Sequence, residues 1–121
     1  MKAMIADDSL INVKVLKSFL EMQGVEVRYT TNDIESVTLC QEEKFDIIFL
    51  DYFMPTLNGC AAAAEIRKTI NANSKIVIVT GDEEIARKRN LIGIDDYLLK
   101  PYDFEKICRL IEKPTQQTAL R

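Results

Sequence analysis

The sequence predicts an α/β domain built on a parallel β-sheet. Two observations carry this. Five short apolar runs alternate with five longer amphipathic stretches, and the third and fourth runs are continuously apolar where a half-exposed strand would alternate. Continuous apolar strands are covered on both faces, the condition inside a parallel sheet flanked by helices. Regular β–α alternation then selects right-handed crossovers within one sheet.

The elements follow in order. The first run is Ala3-Met4-Ile5-Ala6, and a helix is expected from about Leu10 to Gln23. Ser9 stands before it as an N-cap and Gly24 after it as a stop. Val13, Leu16 and Leu20 share one face at helical spacing. The second run, Val25-Glu26-Val27-Arg28-Tyr29, leads to a helix over about Asn32 to Glu43. The third run, Asp46-Ile47-Ile48-Phe49-Leu50, precedes a helix that follows Gly59 and contains Cys60-Ala61-Ala62-Ala63-Ala64. Its alanines favour helix and permit close packing on a sheet. The fourth run, Lys75-Ile76-Val77-Ile78-Val79, is followed by a helix over about Glu83 to Leu91. The fifth, Asp96-Tyr97-Leu98-Leu99, is followed by one over about Phe104 to Ile111. The expected domain covers residues 1–113, and residues 114–121 read as a C-terminal tail or linker stub.

Composition narrows the function. The chain has 121 residues, a length that suits one domain. Its net charge of -3 argues against direct binding to nucleic acid, which needs a basic face. No apolar run is long enough to span a bilayer, so no membrane partner is expected. Met1-Lys2-Ala3-Met4-Ile5-Ala6-Asp7-Asp8 meets carboxylates too early for a signal peptide. Cys40, Cys60 and Cys108 are isolated, and the chain has no histidine, so a Cys/His zinc site is excluded. Isolated cysteines read as small buried hydrophobes in a reducing cytoplasm.

The chemistry sits at the predicted strand ends. Asp7 and Asp8 follow the first run, Asp51 follows the third, Thr80 ends the fourth and Lys100 ends the fifth. In a parallel sheet these ends share one edge, the edge at which open α/β sheets form their ligand sites. Three carboxylates gathered there repel one another and raise at least one pKa. A divalent cation relieves that repulsion, and a small set of oxygen ligands suits Mg²⁺. Lys100 adds a compact positive charge and Thr80 a hydroxyl donor. An ionised carboxylate is already a nucleophile toward phosphorus, so Asp51 needs positioning and charge cancellation, not a separate base. Singly, each residue has an ordinary explanation: helix-dipole partners for Asp7 and Asp8, a turn residue for Asp51, a strand-end filler for Thr80 and a solvated charge for Lys100.

From Lys2 to about Ile111 the chain resembles the receiver domains of two-component response regulators. The resemblance lies in an ordered set: Asp7-Asp8-Ser9; Asp51-Tyr52-Phe53-Met54-Pro55 with Asn58-Gly59; Val79-Thr80-Gly81; and Asp96-Tyr97-Leu98-Leu99-Lys100-Pro101. It implies a flavodoxin-like (βα)5 three-layer sandwich with strand order 2-1-3-4-5. It also implies that Asp51 is the phosphoacceptor. Asp8 would ligate Mg²⁺ directly, Asp7 through water, and the Phe53 carbonyl would add a ligand. Thr80 and Lys100 would bind phosphoryl oxygens together with the Gly81 amide, and Tyr97 would act with Thr80 as a switch. The Lys100-Pro101 bond is expected to be cis.

A histidine kinase or histidine-containing phosphotransfer protein is implied as phosphodonor, with the first helix packing against it and a downstream effector receiving the signal. Phosphorylation-linked homodimerisation through the fourth and fifth helices is a further expectation. The phrases Asp8-Ser9-Leu10-Ile11-Asn12 and Gly59 through Glu65-Ile66-Arg67 look more like receivers of hybrid histidine kinases. Gly81 departs from the alanine common there, while Phe53 and Asp82 occupy positions that tune phosphoryl lifetime.

Such a domain catalyses only its own phosphorylation and dephosphorylation. Three other readings remain at this point. One is a pseudo-receiver acting as an interaction module without phosphorylation. Another is a phosphatase of the haloacid dehalogenase type, which needs Asp-x-Asp where this chain has adjacent aspartates. The third is a flavodoxin-like nucleotide or flavin binder, which needs a Gly- or hydroxyl-rich loop after the first strand.

Overall fold

The computed structural model describes residues 1–87 and 93–112. The chain alternates without exception: β1 (Lys2–Ala6), α1 (Leu10–Met22), β2 (Glu26–Thr30), α2 (Asp33–Glu42), β3 (Ile47–Asp51), α3 (Gly59–Ile66), β4 (Lys75–Thr80), α4 (Glu83–Arg87), β5 (Asp96–Leu99) and α5 (Phe104–Ile111). All strand pairs are parallel, in the order β2-β1-β3-β4-β5. This is the 2-1-3-4-5 order that the resemblance implied. Ala6 lies opposite Leu50, Asp51 opposite Val79, and Thr80 opposite Leu99. The carboxyl ends of four strands therefore meet at one edge.

Alternation along the strands builds the three layers. Ala3, Ile5, Ile47, Phe49, Val77, Val79 and Leu98 face α1 and α5, where they pack with Val13, Leu16, Leu20, Ile107 and Leu110. Met4, Ala6, Ile48, Leu50, Ile76 and Ile78 face α2 and α3, where Cys40, Phe45, Ala62, Ala63 and Ile66 meet them. Both sets are almost wholly buried, which explains why β3 and β4 read as unbroken apolar runs. Cys40 is a core residue, and burial pushes its thiol up to about 12. Cys60 and Cys108 are half-buried and free.

Helix ends follow their capping signals. Ser9 Oγ accepts the Asn12 N–H at 3.3 Å, and Gly24 takes the left-handed backbone (φ 82°) past the end of α1. The N–H groups of Gly24 and Val25 return to the carbonyls of Glu21 and Leu20. Val25 is thereby spent on ending the helix, so β2 starts at Glu26, one residue later than expected. Asp46 is likewise drawn out of β3: its N–H goes to the Lys2 carbonyl, and its carboxylate accepts the Lys2 N–H at 2.7 Å. The strand then runs to Asp51, which is its last residue and does not follow it. Glu83 opens α4 as expected, whereas Lys88, Arg89 and Leu91 lie outside the described residues, as does the tail from 113.

The amino edge of the sheet is closed by neutral and paired groups. Asn71 is fully buried. Its amide donates to the carbonyls of Cys40 (2.7 Å) and Glu43 (2.8 Å), and its oxygen accepts the Phe45 N–H (2.7 Å) and the Ser74 hydroxyl (2.9 Å). Arg67 donates to the carbonyls of Gly93 and Ala72 and pairs with Asp95 at 2.9 Å.

Candidate functional site

Each site residue is placed by a strand end. Ala6 is the last residue of β1, so Asp7 and Asp8 emerge together; Asp7 is 3% exposed and Asp8 is exposed. Asp7 Oδ1 accepts the Ser9 N–H at 2.9 Å, and the Asp7 N–H donates to the Thr30 carbonyl at 3.2 Å. Asp51 is 6% exposed at the end of β3. One carboxylate oxygen from each of Asp7, Asp8 and Asp51 lies within 4.8 Å of the other two. Lys100, just past β5, reaches across the sheet to Asp51 Oδ2 (3.1 Å) and Asp7 Oδ2 (3.3 Å). Its peptide bond to Pro101 is cis, as the resemblance implied.

Electrostatics follow from this crowding. Burial, and then the charge of Asp7, pushes the Asp51 carboxyl up to about 6 against the opposing pull of Lys100. Burial depresses Lys100, but its bonds and attraction to Asp51 and Asp7 together outweigh it and shift the ammonium upward. Burial, with the charges of Asp7 and Asp51, also raises the phenol of Tyr102. Lys100 thus serves both Asp7 and Asp51, with the Asp8 carboxylate beside them. An all-oxygen donor set with surplus negative charge fits a hard divalent cation.

The remaining expected residues lie around this cluster. Thr80 is 1% exposed, its hydroxyl accepting the Asp82 N–H at 3.1 Å and its carbonyl the Lys100 N–H at 2.9 Å. A Cβ added at Gly81 would meet nothing within 4 Å. The Phe53 N–H approaches Asp51 Oδ1 at 3.4 Å, while the residue is 61% exposed and its ring packs edge-on against Tyr52. Gly59 allows α3 to start against β3, because a Cβ there would stand 2.8 Å from the Asp51 carbonyl oxygen. Tyr97 stands farther off on β5. The Lys106 ammonium lies 3.3 Å from its ring centre and 3.4 Å from Asp96. A cleft of about 120 Å³ opens beside it, lined by Glu83, Ala86, Arg87 and Leu99.

One residue was not anticipated. Asp33, the first residue of α2, is 1% exposed, and its carboxylate accepts backbone N–H groups of the loop that follows Asp51. In the sequence it is one acid at the start of a helix, where helix-dipole placement is explanation enough.

Comparison with known proteins agrees with this geometry. A profile of the response regulator receiver domain matches residues 3–112. The chain is 33% identical over 115 residues to protein PilH of Pseudomonas aeruginosa, covering 91% of this chain and 93% of that protein. Its fold matches the receiver domain of sensor histidine kinase PA1611 from Pseudomonas aeruginosa, solved with a magnesium ion coordinated in its active site cleft. That match has a TM-score of 0.81 at 26% identity, over 90% of this chain and 92% of that one. It also matches the receiver domain of Ssk1 from Saccharomyces cerevisiae, solved with the histidine phosphotransfer protein Ypd1, with a TM-score of 0.80 at 29% identity over 92% and 86% of the two chains. Several other matched proteins are longer, and this chain spans about half of each or less. The match to the receiver profile sets aside the phosphatase and flavin-binding readings. With that profile spanning nearly the whole sequence, the chain belongs to the response regulator receiver domain family of two-component signalling.

Proposed function

We propose that this receiver accepts a phosphoryl group from a phosphohistidine donor onto Asp51 in a Mg²⁺-dependent reaction. One observation carries the reading: Lys100 bridges Asp51 and Asp7 at 3.1 and 3.3 Å inside a cluster of three carboxylates, more than one ammonium neutralises. Asp8, Asp51 and the Phe53 carbonyl would hold the metal, with Asp7 through water. When bound, the metal supplies charge cancellation at the phosphoryl oxygens. A carboxylate oxygen of Asp51 attacks phosphorus, the P–N bond breaks, and the imidazole nitrogen leaves with the bonding pair. Lys100 and the Thr80 hydroxyl would bind the transferred oxygens. The chain catalyses only its own phosphorylation and dephosphorylation.

An apolar groove supports a helical donor. About 430 Å³ in volume, it is lined by Lys14, Val15, Ser18, Phe19, Met22 and Phe104, next to the exposed side chains of Leu10 and Ile11. Exposed apolar surface of this kind marks a contact site, and α1 would dock a histidine-containing phosphotransfer protein there. For the output, Thr80 would move toward the phosphoryl group and Tyr97 would turn inward, altering the face formed by α4, β5 and α5 for an effector. A Tyr97→Ala variant with fully phosphorylation-dependent effector binding would refute this switch.

The test is intact mass after incubation with Mg²⁺ and acetyl phosphate. Wild type should gain one phosphoryl group, abolished by chelator and by Asp51→Asn. No gain in a wild type that binds Mg²⁺ would favour a phosphorylation-independent interaction module.

A further inference from the structure

We propose that Asp33 is a positioning residue for the acidic site, fixing the loop between β3 and α3 so that the Phe53 carbonyl and Asp51 face a divalent cation together. The inference rests on the metal-dependent reading above and assigns a role to a residue outside the cluster.

The loop Tyr52–Asn58 has no regular structure and must be held from outside. Its neck is closed where the Tyr52 N–H donates to the Val79 carbonyl (2.9 Å) and the Gly59 N–H to the Tyr52 carbonyl (2.8 Å). Pro55 has no N–H to give. The outer part is tied by Asp33 alone among these anchors: its Oδ2 accepts the Thr56 N–H at 3.1 Å and also the Leu57 N–H, across 23 and 24 residues of chain. Oδ1 lies 3.2 Å from the Ile34 N–H. A carboxylate that is 1% exposed therefore has its charge met by backbone donors, at the positive end of α2 and in the loop itself. Such bonds are short-range and directional, and they fix where the loop lies.

A second line of contacts connects Asp33 to the other bank of the site. The Asp7 N–H donates to the Thr30 carbonyl at 3.2 Å, and the Thr30 hydroxyl donates to the Asn32 carbonyl at 3.1 Å. Asn32 caps α2 and immediately precedes Asp33. The turn between β2 and α2 is thus bonded on one side to the strand end carrying Asp7 and Asp8, and on the other to the loop carrying Phe53. Asp33 touches no reacting atom. It sets the distance between two groups of ligands that enter from different strands, as outer partners do at metal sites.

The experiment compares wild type, Asp33→Ala, Asp33→Asn and Asn71→Ala. Mg²⁺ affinity is read by calorimetry with the metal alone, and phosphoryl acceptance from acetyl phosphate by intact mass. Asp33→Ala should bind Mg²⁺ about tenfold more weakly and accept phosphoryl more slowly. Asp33→Asn keeps an oxygen that can accept both N–H groups and should retain most of the affinity. Asn71→Ala loosens the far edge and should leave Mg²⁺ affinity unchanged. In wild type the Thr56 and Leu57 amides should be protected from hydrogen exchange, and Asp33→Ala should expose them. Unchanged Mg²⁺ affinity in Asp33→Ala, equal losses in Asp33→Ala and Asn71→Ala, or unprotected amides in wild type would each overturn the inference alone. A wild type that binds no Mg²⁺ would overturn the metal-dependent reading and this inference with it.

Discussion

The two edges of the sheet are made from similar polar residues and are organised in opposite ways. At the amino edge, Asn71 matches two donors with two acceptors, and Asp46, Asp95 and Glu43 each meet a cation or a backbone N–H. At the carboxyl edge, Asp7, Asp8 and Asp51 gather within 4.8 Å of one another, and among the described residues Lys100 is the cation that pairs with Asp7 and Asp51. Every buried side-chain polar atom among the described residues has a partner, so the difference is one of charge and not of hydrogen bonding. A closed edge contributes stability. An edge left with uncompensated charge gives some up and gains affinity for whatever neutralises it.

Substitutions at each edge should therefore move different observables. The largest stability effect is expected at the closed edge. Asn71→Ala strands buried groups of Phe45, Cys40, Glu43 and Ser74 and should cost about 3 kcal/mol in urea unfolding, with phosphoryl acceptance retained in the folded fraction. Equal stability of the variant would refute the contrast.

Asp51→Asn should act in the other direction. The folded chain raises the Asp51 carboxyl to about 6, above its unfolded value, so ionising it opposes folding. Its stabilising contribution is fully present below about pH 4 and is lost as pH rises through 6. At pH 7 without metal, Asp51→Asn should be more stable than wild type by about 2 kcal/mol, with the gap closing on acidification. Urea unfolding across pH in chelator checks both sign and window. Saturating Mg²⁺ should stabilise wild type and reverse the ranking.

How much of this contrast can be read from the sequence depends on how many elements a feature spans. The β–α alternation, the Ser9 cap, the Gly24 stop and the convergence of Asp7, Asp51, Thr80 and Lys100 are local signals or direct consequences of a parallel sheet. The strand order and the cis bond at Lys100 came from family resemblance. Asn71, Arg67 and Asp33 were not legible. Each bonds backbone groups 20 or more residues away, and backbone partners leave no mark in the side-chain pattern. The one-residue errors at β2 and β3 have the same origin, since Val25 and Asp46 were claimed by backbone contacts outside their strands.

A smaller effect concerns the exposed ring beside the site. Phe53→Asn should shorten the acyl phosphate lifetime several-fold if the ring shields it from water. An unchanged dephosphorylation rate would dismiss the shield while leaving the acceptor chemistry intact. The smallest effect belongs to neither edge. Lys17 and Glu21 pair at 3.0 Å on the exposed face of α1, and Glu21→Ala should cost only about 0.3 kcal/mol. A larger loss would show that an exposed pair can matter as much as a buried edge.

The register of the sheet has a consequence for how this chain can fail. The groups of the proposed site come from positions 7, 51, 80 and 100, at the ends of strands that lie side by side only when β1, β3, β4 and β5 have assembled. No fragment of the polypeptide contains a working half. A protease nick or a truncation that prevents β5 from docking would abolish the proposed chemistry while leaving Asp7, Asp8 and Asp51 intact. Under the proposed chemistry, phosphoryl uptake is an assay of assembly: co-expressed halves would regain it only by bringing these four strands back together.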